Sequence, residues 1–119
     1  MIKKLVSFDT TSRASNLALI NFVADYLSAL GVDSHLIHDE SGEKANLYAT
    51  IGPPDVSRIV LSGHTDVVPV DGQAWDTDPF EVVEKENRLF GRGTSDMKSF
   101  IAIALAMAPD FAATKLKTP

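Results

Sequence analysis

A chain of 119 residues, 45% hydrophobic and 23% charged, has the make-up of an ordinary folded domain able to bury one core. No apolar run of about 18 residues is available to cross a membrane, and Met1-Ile2-Lys3-Lys4 leads into Ser7, Asp9 and Thr10 rather than into an apolar leader, so a cytoplasmic protein without a membrane partner is expected. The net charge of −5 comes with no basic stripe, which disfavours nucleic acid, and the lack of cysteine leaves His and carboxylates as the side chains available to a metal.

No repeat, low-complexity tract or Gly/Ser linker interrupts the chain, so residues 1–119 read as one continuous unit. From Asn16 to Leu30 the apolar residues Leu17, Ile20, Val23, Ala24, Leu27 and Leu30 recur at three- and four-residue steps. With Ser15 as N-cap and Gly31 as terminator, this spacing predicts an amphipathic helix.

Extended segments are predicted at 33–38 and 46–51, paired across the polar turn Asp39-Glu40-Ser41-Gly42-Glu43, before Gly52-Pro53-Pro54 breaks the chain. Arg58-Ile59-Val60-Leu61-Ser62 is a continuous β-branched and leucine run, which predicts a central parallel strand buried on both faces.

After an irregular stretch with Pro69, Gly72, Trp75 and Pro79, residues 80–84 and 88–90 predict a hairpin around Lys85-Glu86-Asn87. A final helix, capped by Ser95 or Asp96 and ending near Pro109, carries Met97, Phe100, Ile101, Ile103, Ala104, Leu105 and Met107. It is apolar on most sides, so deep burial is expected. The order of elements suggests an α/β fold.

His64 and Asp66 follow the predicted central strand at its C-terminal end, where open α/β sheets gather their ligand-binding groups. Neutral imidazole is a good zinc ligand, and a carboxylate two residues on can accept its other N–H and fix the tautomer. Taken alone, however, His-x-Asp is more often a structural histidine satisfied by its neighbour.

In Gly91-Arg92-Gly93-Thr94-Ser95-Asp96 two glycines permit unusual backbone angles before a helix start. Asp96 then reads either as a helix cap, favoured there by free N–H groups and the macrodipole, or as a carboxylate bridging two divalent ions about 3.5–4 Å apart. His35 and His38 read as strand-surface residues, and Trp75 as an aromatic that anchors a long loop.

Taken together, Leu61-Ser62-Gly63-His64-Thr65-Asp66-Val67-Val68-Pro69, Trp75 with Asp78-Pro79-Phe80, and Gly91-Arg92-Gly93 through Asp96-Met97-Lys98 resemble a family of zinc hydrolases. That family includes acetylornithine deacetylase, succinyl-diaminopimelate desuccinylase and carboxypeptidase G. Phe8-Asp9-Thr10-Thr11-Ser12 and Val70-Asp71-Gly72-Gln73-Ala74-Trp75 look most like its acetylornithine deacetylase branch.

The resemblance implies the N-terminal portion of a three-layer α/β/α catalytic domain with a mostly parallel mixed sheet. It implies that His64 binds one zinc, that Asp66 orients His64, and that Asp96 bridges two zinc ions, with cobalt as a substitute. It further implies an N-acylated amino acid as substrate and a homodimer for the full-length enzyme.

Two departures stand out. Ser99 replaces the glycine that relatives usually carry after Asp-Met-Lys, where its side chain either crowds or decorates the helix start. The Glu-Glu pair that in relatives resembles a general base and a further zinc ligand does not occur among the 119 residues, nor does the dimerisation domain. The expectation is a catalytically incomplete chain. The alternatives are a desuccinylase or dipeptidase of the same family, or a non-catalytic fragment that acts only in association.

Overall fold

A computed structural model of the protein describes residues 1–53 and 55–119; Pro54, part of the predicted Gly52-Pro53-Pro54 break, lies outside the described residues. The chain opens with a short helix, α1 (Ile2–Val6), not foreseen in the sequence because five residues are too few for a helical period to declare itself. Its Leu5 and Val6 are fully buried, and the helix packs against the last helix of the chain.

The long amphipathic helix forms as α2 (Leu17–Ala29) and turns Leu19, Ile20, Val23 and Leu27 into the core. The N-cap position falls on Asn16 rather than on the expected Ser15, one residue earlier, whose Oγ accepts the Leu17 N–H at 3.2 Å. The Asn16 side chain reaches sideways instead, donating to the Ala45 carbonyl and accepting the Ala45 N–H, both at 2.9 Å. At the other end Gly31 takes φ +73°, its N–H meets the Ser28 carbonyl at 2.9 Å, and the Val32 N–H meets the Leu27 carbonyl at 3.0 Å. This is a Schellman closure, and buried Val32 and Leu27 join the same core cluster.

Strands β1 (Ser34–His38) and β2 (Ala45–Ala49) pair antiparallel, with Leu36 opposite Leu47 and His38 opposite Ala45. The turn is held by Asp39, whose Oδ1 accepts from Ser41 Oγ at 3.0 Å and from the Lys44 N–H at 3.2 Å. Leu36, Leu47 and Ala49 pack against α2, while His35 and His38 lie on the exposed surface as expected.

The second hairpin joins β3 (Val83–Lys85) to β4 (Arg88–Phe90) through Glu86 at φ 53° and Asn87 at φ 58°, the backbone of a two-residue type I′ turn. The strand begins later than Phe80 because the Asp78 carboxylate accepts the Phe80 N–H at 2.8 Å and holds Phe80 and Glu81 in a turn.

The expected central strand does not form a ladder. Arg58–Ser62 belongs to no strand, and Ile59, Val60 and Leu61 are 74%, 70% and 57% exposed. A strand buried on both faces needs paired neighbours and a covering layer on each side. Among the described residues both sheets are two-stranded and antiparallel, and parallel pairing is confined to a single bridge between Thr11 and Val67.

The last helix, α3 (Lys98–Ala113), departs from expectation in three ways. Neither Ser95 nor Asp96 caps it; Met97 holds that position and no side chain closes the end. It is buried along one face only, through Lys98, Ala102, Leu105 and Ala108, while Phe100, Ile103 and Met107 are exposed.

Third, it runs on through Pro109. A proline inside a helix lacks the N–H that would reach the carbonyl four residues back. Here that carbonyl, of Leu105, accepts the Tyr26 hydroxyl from α2 at 3.1 Å instead.

Candidate functional site

The segment carrying His64 and Asp66 is laid alongside Phe8–Ser12. Thr10 Oγ1 donates to the Thr65 carbonyl at 2.6 Å, the Val67 N–H donates to the Thr10 carbonyl at 3.0 Å, and the Ser12 N–H returns to the Val67 carbonyl at 2.9 Å. Asp9 Oδ1 steadies this stretch by accepting from the Thr11 N–H at 2.9 Å and the Thr11 hydroxyl at 2.6 Å.

His64, Asp66 and Asp96 come together. The imidazole Nδ1 lies 3.1 Å from Asp66 Oδ1 and 3.0 Å from the Asp66 carbonyl, and Nε2 lies 3.0 Å from Asp96 Oδ1. Both ring nitrogens face acceptors, an arrangement that favours the imidazolium when no metal competes. The Asp96 carboxylate, reinforced by Asp66 and opposed by partial burial, raises the His64 pKa above its ordinary 6.5. All three side chains remain open to solvent, Asp96 most of all.

The capping reading of Asp96 is not met, because its carboxylate turns to His64 and leaves the start of α3 uncapped. The turn before it depends on Gly93 at φ +86°, where an added Cβ would stand 3.0 Å from Val67 Cγ1 and 3.1 Å from Lys98 Cδ. Thr94 Oγ1 donates to the Gly91 carbonyl at 2.9 Å. Ser99 decorates this turn rather than crowding it, its hydroxyl donating to the Thr94 carbonyl.

Sequence reasoning assigned no role to Lys98, since a lysine at a helix start ordinarily reads as solvated. It is completely buried, its Nζ donating to the Phe8 carbonyl at 2.7 Å. Burial pushes its pKa down to about 8, against the opposing charge of Asp9.

Trp75 anchors its loop as expected. Its indole N–H donates to Gln73 Oε1 at 3.1 Å, Arg92 Nη2 donates to the same oxygen, and the Arg92 guanidinium lies 5.2 Å from the Trp75 ring centre. The Arg92 N–H also meets the Pro79 carbonyl at 2.6 Å, so the loop is fastened to the turn that leads to Asp96.

An imidazole nitrogen and a carboxylate oxygen are suitable donors for a divalent ion such as zinc. Two ligands about 2.0–2.2 Å from a tetrahedral zinc stand roughly 3.3–3.6 Å apart, and the 3.0 Å between His64 Nε2 and Asp96 Oδ1 is a few tenths of an ångström short of that separation. Among the described residues no group of three or more His, Cys, Asp or Glu is arranged to hold a metal ion, so the pair fits part of a ligand set rather than a whole one. Beside it a cleft of about 810 Å³ runs between α2, β1–β2, α3 and the segment 61–66, lined by apolar side chains including Leu61, Phe100 and Ile101.

The chain is similar to known proteins over nearly its whole length. It is 40% identical over 114 residues to acetylornithine deacetylase of Pasteurella multocida (strain Pm70), covering 95% of this chain and 30% of that protein. It is likewise 40% identical over 112 residues to acetylornithine deacetylase of Proteus mirabilis (strain HI4320), covering 93% of this chain and 29% of that one. The chain therefore spans about 30% of the length of the curated relatives it matches.

Its fold is similar to that in the crystal structure of human carnosine dipeptidase 1, with a TM-score of 0.77 and 24% identity over 93% of this chain and 27% of that one. That likeness supports the α/β class inferred from the order of elements. Residues 60–119, which carry His64, Asp66 and Asp96, match peptidase family M20/M25/M40, and the chain belongs to that family.

Proposed function

We propose that the chain is the N-terminal part of the catalytic domain of a zinc-dependent amide hydrolase, with His64 and Asp96 as metal ligands and Asp66 as the residue that orients His64. The observation that carries this reading is the clamped imidazole, with Asp66 on Nδ1 at 3.1 Å and Asp96 on Nε2 at 3.0 Å. Metal-ligating histidines commonly offer one ring nitrogen to the metal and the other to a carboxylate or carbonyl. By holding the proton on Nδ1, Asp66 keeps the Nε2 lone pair for the metal.

The chemistry that a bound zinc supplies is Lewis-acid polarisation of an amide carbonyl and acidification of water. Asp96 is the residue suited to span two such ions, because a carboxylate has two oxygens to share. The exposed Ile59, Val60 and Leu61 support the further reading that residues outside this chain complete the sheet around the site.

For the complete protein we infer hydrolysis of N-acetylornithine to ornithine and acetate, a step of arginine biosynthesis, by a cytoplasmic homodimer. The name shared by relatives at 40% identity supports this substrate. The 119 residues alone contain no Glu-Glu pair and are expected not to turn substrate over.

The metal assignment is tested by titrating Zn2+ into the isotopically labelled chain and following side-chain resonances. Selective shifts of His64 and Asp96, abolished in His64→Ala and Asp96→Ala, are expected; uniform or absent shifts overturn it. The substrate is tested by assaying the full-length gene product on N-acetylornithine, a succinylated diamino acid and a dipeptide, where preference for either of the last two overturns the deacetylase reading.

A further inference from the structure

Among the described residues the buried polar or charged side chains are Thr10, Thr11 and Lys98, at 2%, 4% and 0% exposure. None belongs to the hydrophobic core cluster. All three lie against the segments that carry His64, Asp66 and Asp96, and none is used by the function proposed above.

Burying a polar group costs free energy unless its hydrogen bonds are replaced. Lys98 meets a second cost, because a cation in the first turn of a helix opposes the macrodipole. A residue placed against both tendencies and tied to one carbonyl is well suited to fixing a distance.

The bonds these residues make converge on one stretch of chain. Thr10 Oγ1 holds the Thr65 carbonyl at 2.6 Å, between His64 and Asp66, and the Thr10 carbonyl holds the Val67 N–H at 3.0 Å. Lys98, two residues beyond Asp96, holds the Phe8 carbonyl at 2.7 Å, two residues before Thr10. His64 and Asp96, 32 positions apart in sequence, are thus fastened to points two residues apart on Phe8–Ser12.

Gly93 lets the frame close. Its missing side chain leaves room for both Val67 Cγ1 and the Lys98 stem, so the strand-like segment and the turn approach each other across it.

We propose that Phe8–Ser12 and Lys98 form a positioning frame that sets the spacing of His64 and Asp96, with Thr10 and Lys98 as its positioning residues. The frame's purpose, presenting two ligands to one divalent ion, rests on the metal reading above; its geometry can be measured without metal.

The test uses the labelled, metal-free 119-residue chain. The readout is the Overhauser contact between the His64 ring protons and the Asp96 side-chain protons, which reports the close approach of the two. The contact is expected in the wild type and in Thr10→Ser, which keeps the hydroxyl. It is expected to weaken several-fold in Thr10→Val, which keeps only the shape, and in Lys98→Met.

Leu105→Ala, a core variant, serves as the control for general loosening and keeps the contact. If Lys98→Met fails to fold, the comparison of Thr10→Val with Thr10→Ser decides. Full contact in folded Thr10→Val, no contact in the wild type, or equal loss in Leu105→Ala overturns the frame. Failure of the metal reading looks different: the wild-type contact is intact but Zn2+ moves neither His64 nor Asp96.

Discussion

His64 Nε2 and Asp96 Oδ1 stand 3.0 Å apart although 32 positions separate the two residues in the chain. In the absence of metal this contact favours the protonated form of the imidazole. The His64 pKa is therefore expected above 6.5, with Asp96 as the largest cause. NMR titration of the ring protons measures it, and Asp96→Asn is expected to bring it back toward 6.5.

The sign for stability follows from the direction of the shift. A raised pKa means that the folded chain binds the proton more tightly, so the contribution is full below pH 6.5 and disappears as pH rises through the folded value. Since the His64 side chain is 48% exposed, the effect on unfolding is small, and the ring resonances are the sensitive measurement. Protons and Zn2+ compete for the same nitrogen, so zinc binding is expected to weaken as pH falls through that pKa.

Asp66→Ala removes the carboxylate 3.1 Å from Nδ1 while leaving the backbone carbonyl at 3.0 Å and both proposed ligands in place. A loss of roughly 10–100-fold in zinc affinity is expected, the usual effect of removing a ligand's orienting partner. Competition against a chromophoric chelator measures it, and unchanged affinity would remove Asp66 from the site.

What could be read from the sequence was whatever local spacing encodes. The apolar steps from Leu17 to Leu27 and Gly31 define α2 without help from the rest of the chain, although the N-cap falls on Asn16 rather than Ser15. His64, Asp66 and Asp96 were singled out because the motifs around them are dense, and the structure brings the three side chains together. The exposed run at Arg58–Ser62 misled because its apolar side chains encode partners that the described residues do not supply. Lys98 was missed because its burial depends on a carbonyl 90 positions away, which no local pattern announces. Asp96 was open to two readings because helix capping and ligand presentation ask for the same residue type at the same place.

Gly93→Ala is expected to destabilise the chain by roughly 2–5 kcal/mol, combining a left-handed backbone cost with overpacking. The backbone stands at φ +86°, and the new methyl group meets Val67 and Lys98 at 3.0 and 3.1 Å. Gly72→Ala is the control. Its φ is +71° but nothing lies within 4 Å, so only the backbone cost of about 1–2 kcal/mol is expected. Urea denaturation of the two variants separates crowding from conformation, and equal losses would show that the space around Gly93 can relax.

Tyr26 and Pro109 are expected to be energetically coupled although they lie on different helices. The proline deprives the Leu105 carbonyl of its intrahelical N–H, and the Tyr26 hydroxyl takes that place at 3.1 Å. Tyr26→Phe leaves a carbonyl of a buried residue without its donor, which is expected to cost roughly 1–2 kcal/mol. Pro109→Ala returns a backbone N–H at the right position in the helix, so the hydroxyl becomes redundant in that background. The cost of Tyr26→Phe should then shrink by about 1 kcal/mol, which a double-mutant cycle on unfolding free energies resolves. Strict additivity of the two substitutions would mean that the tyrosine hydroxyl does not substitute for the missing donor, and that α3 tolerates Pro109 for another reason.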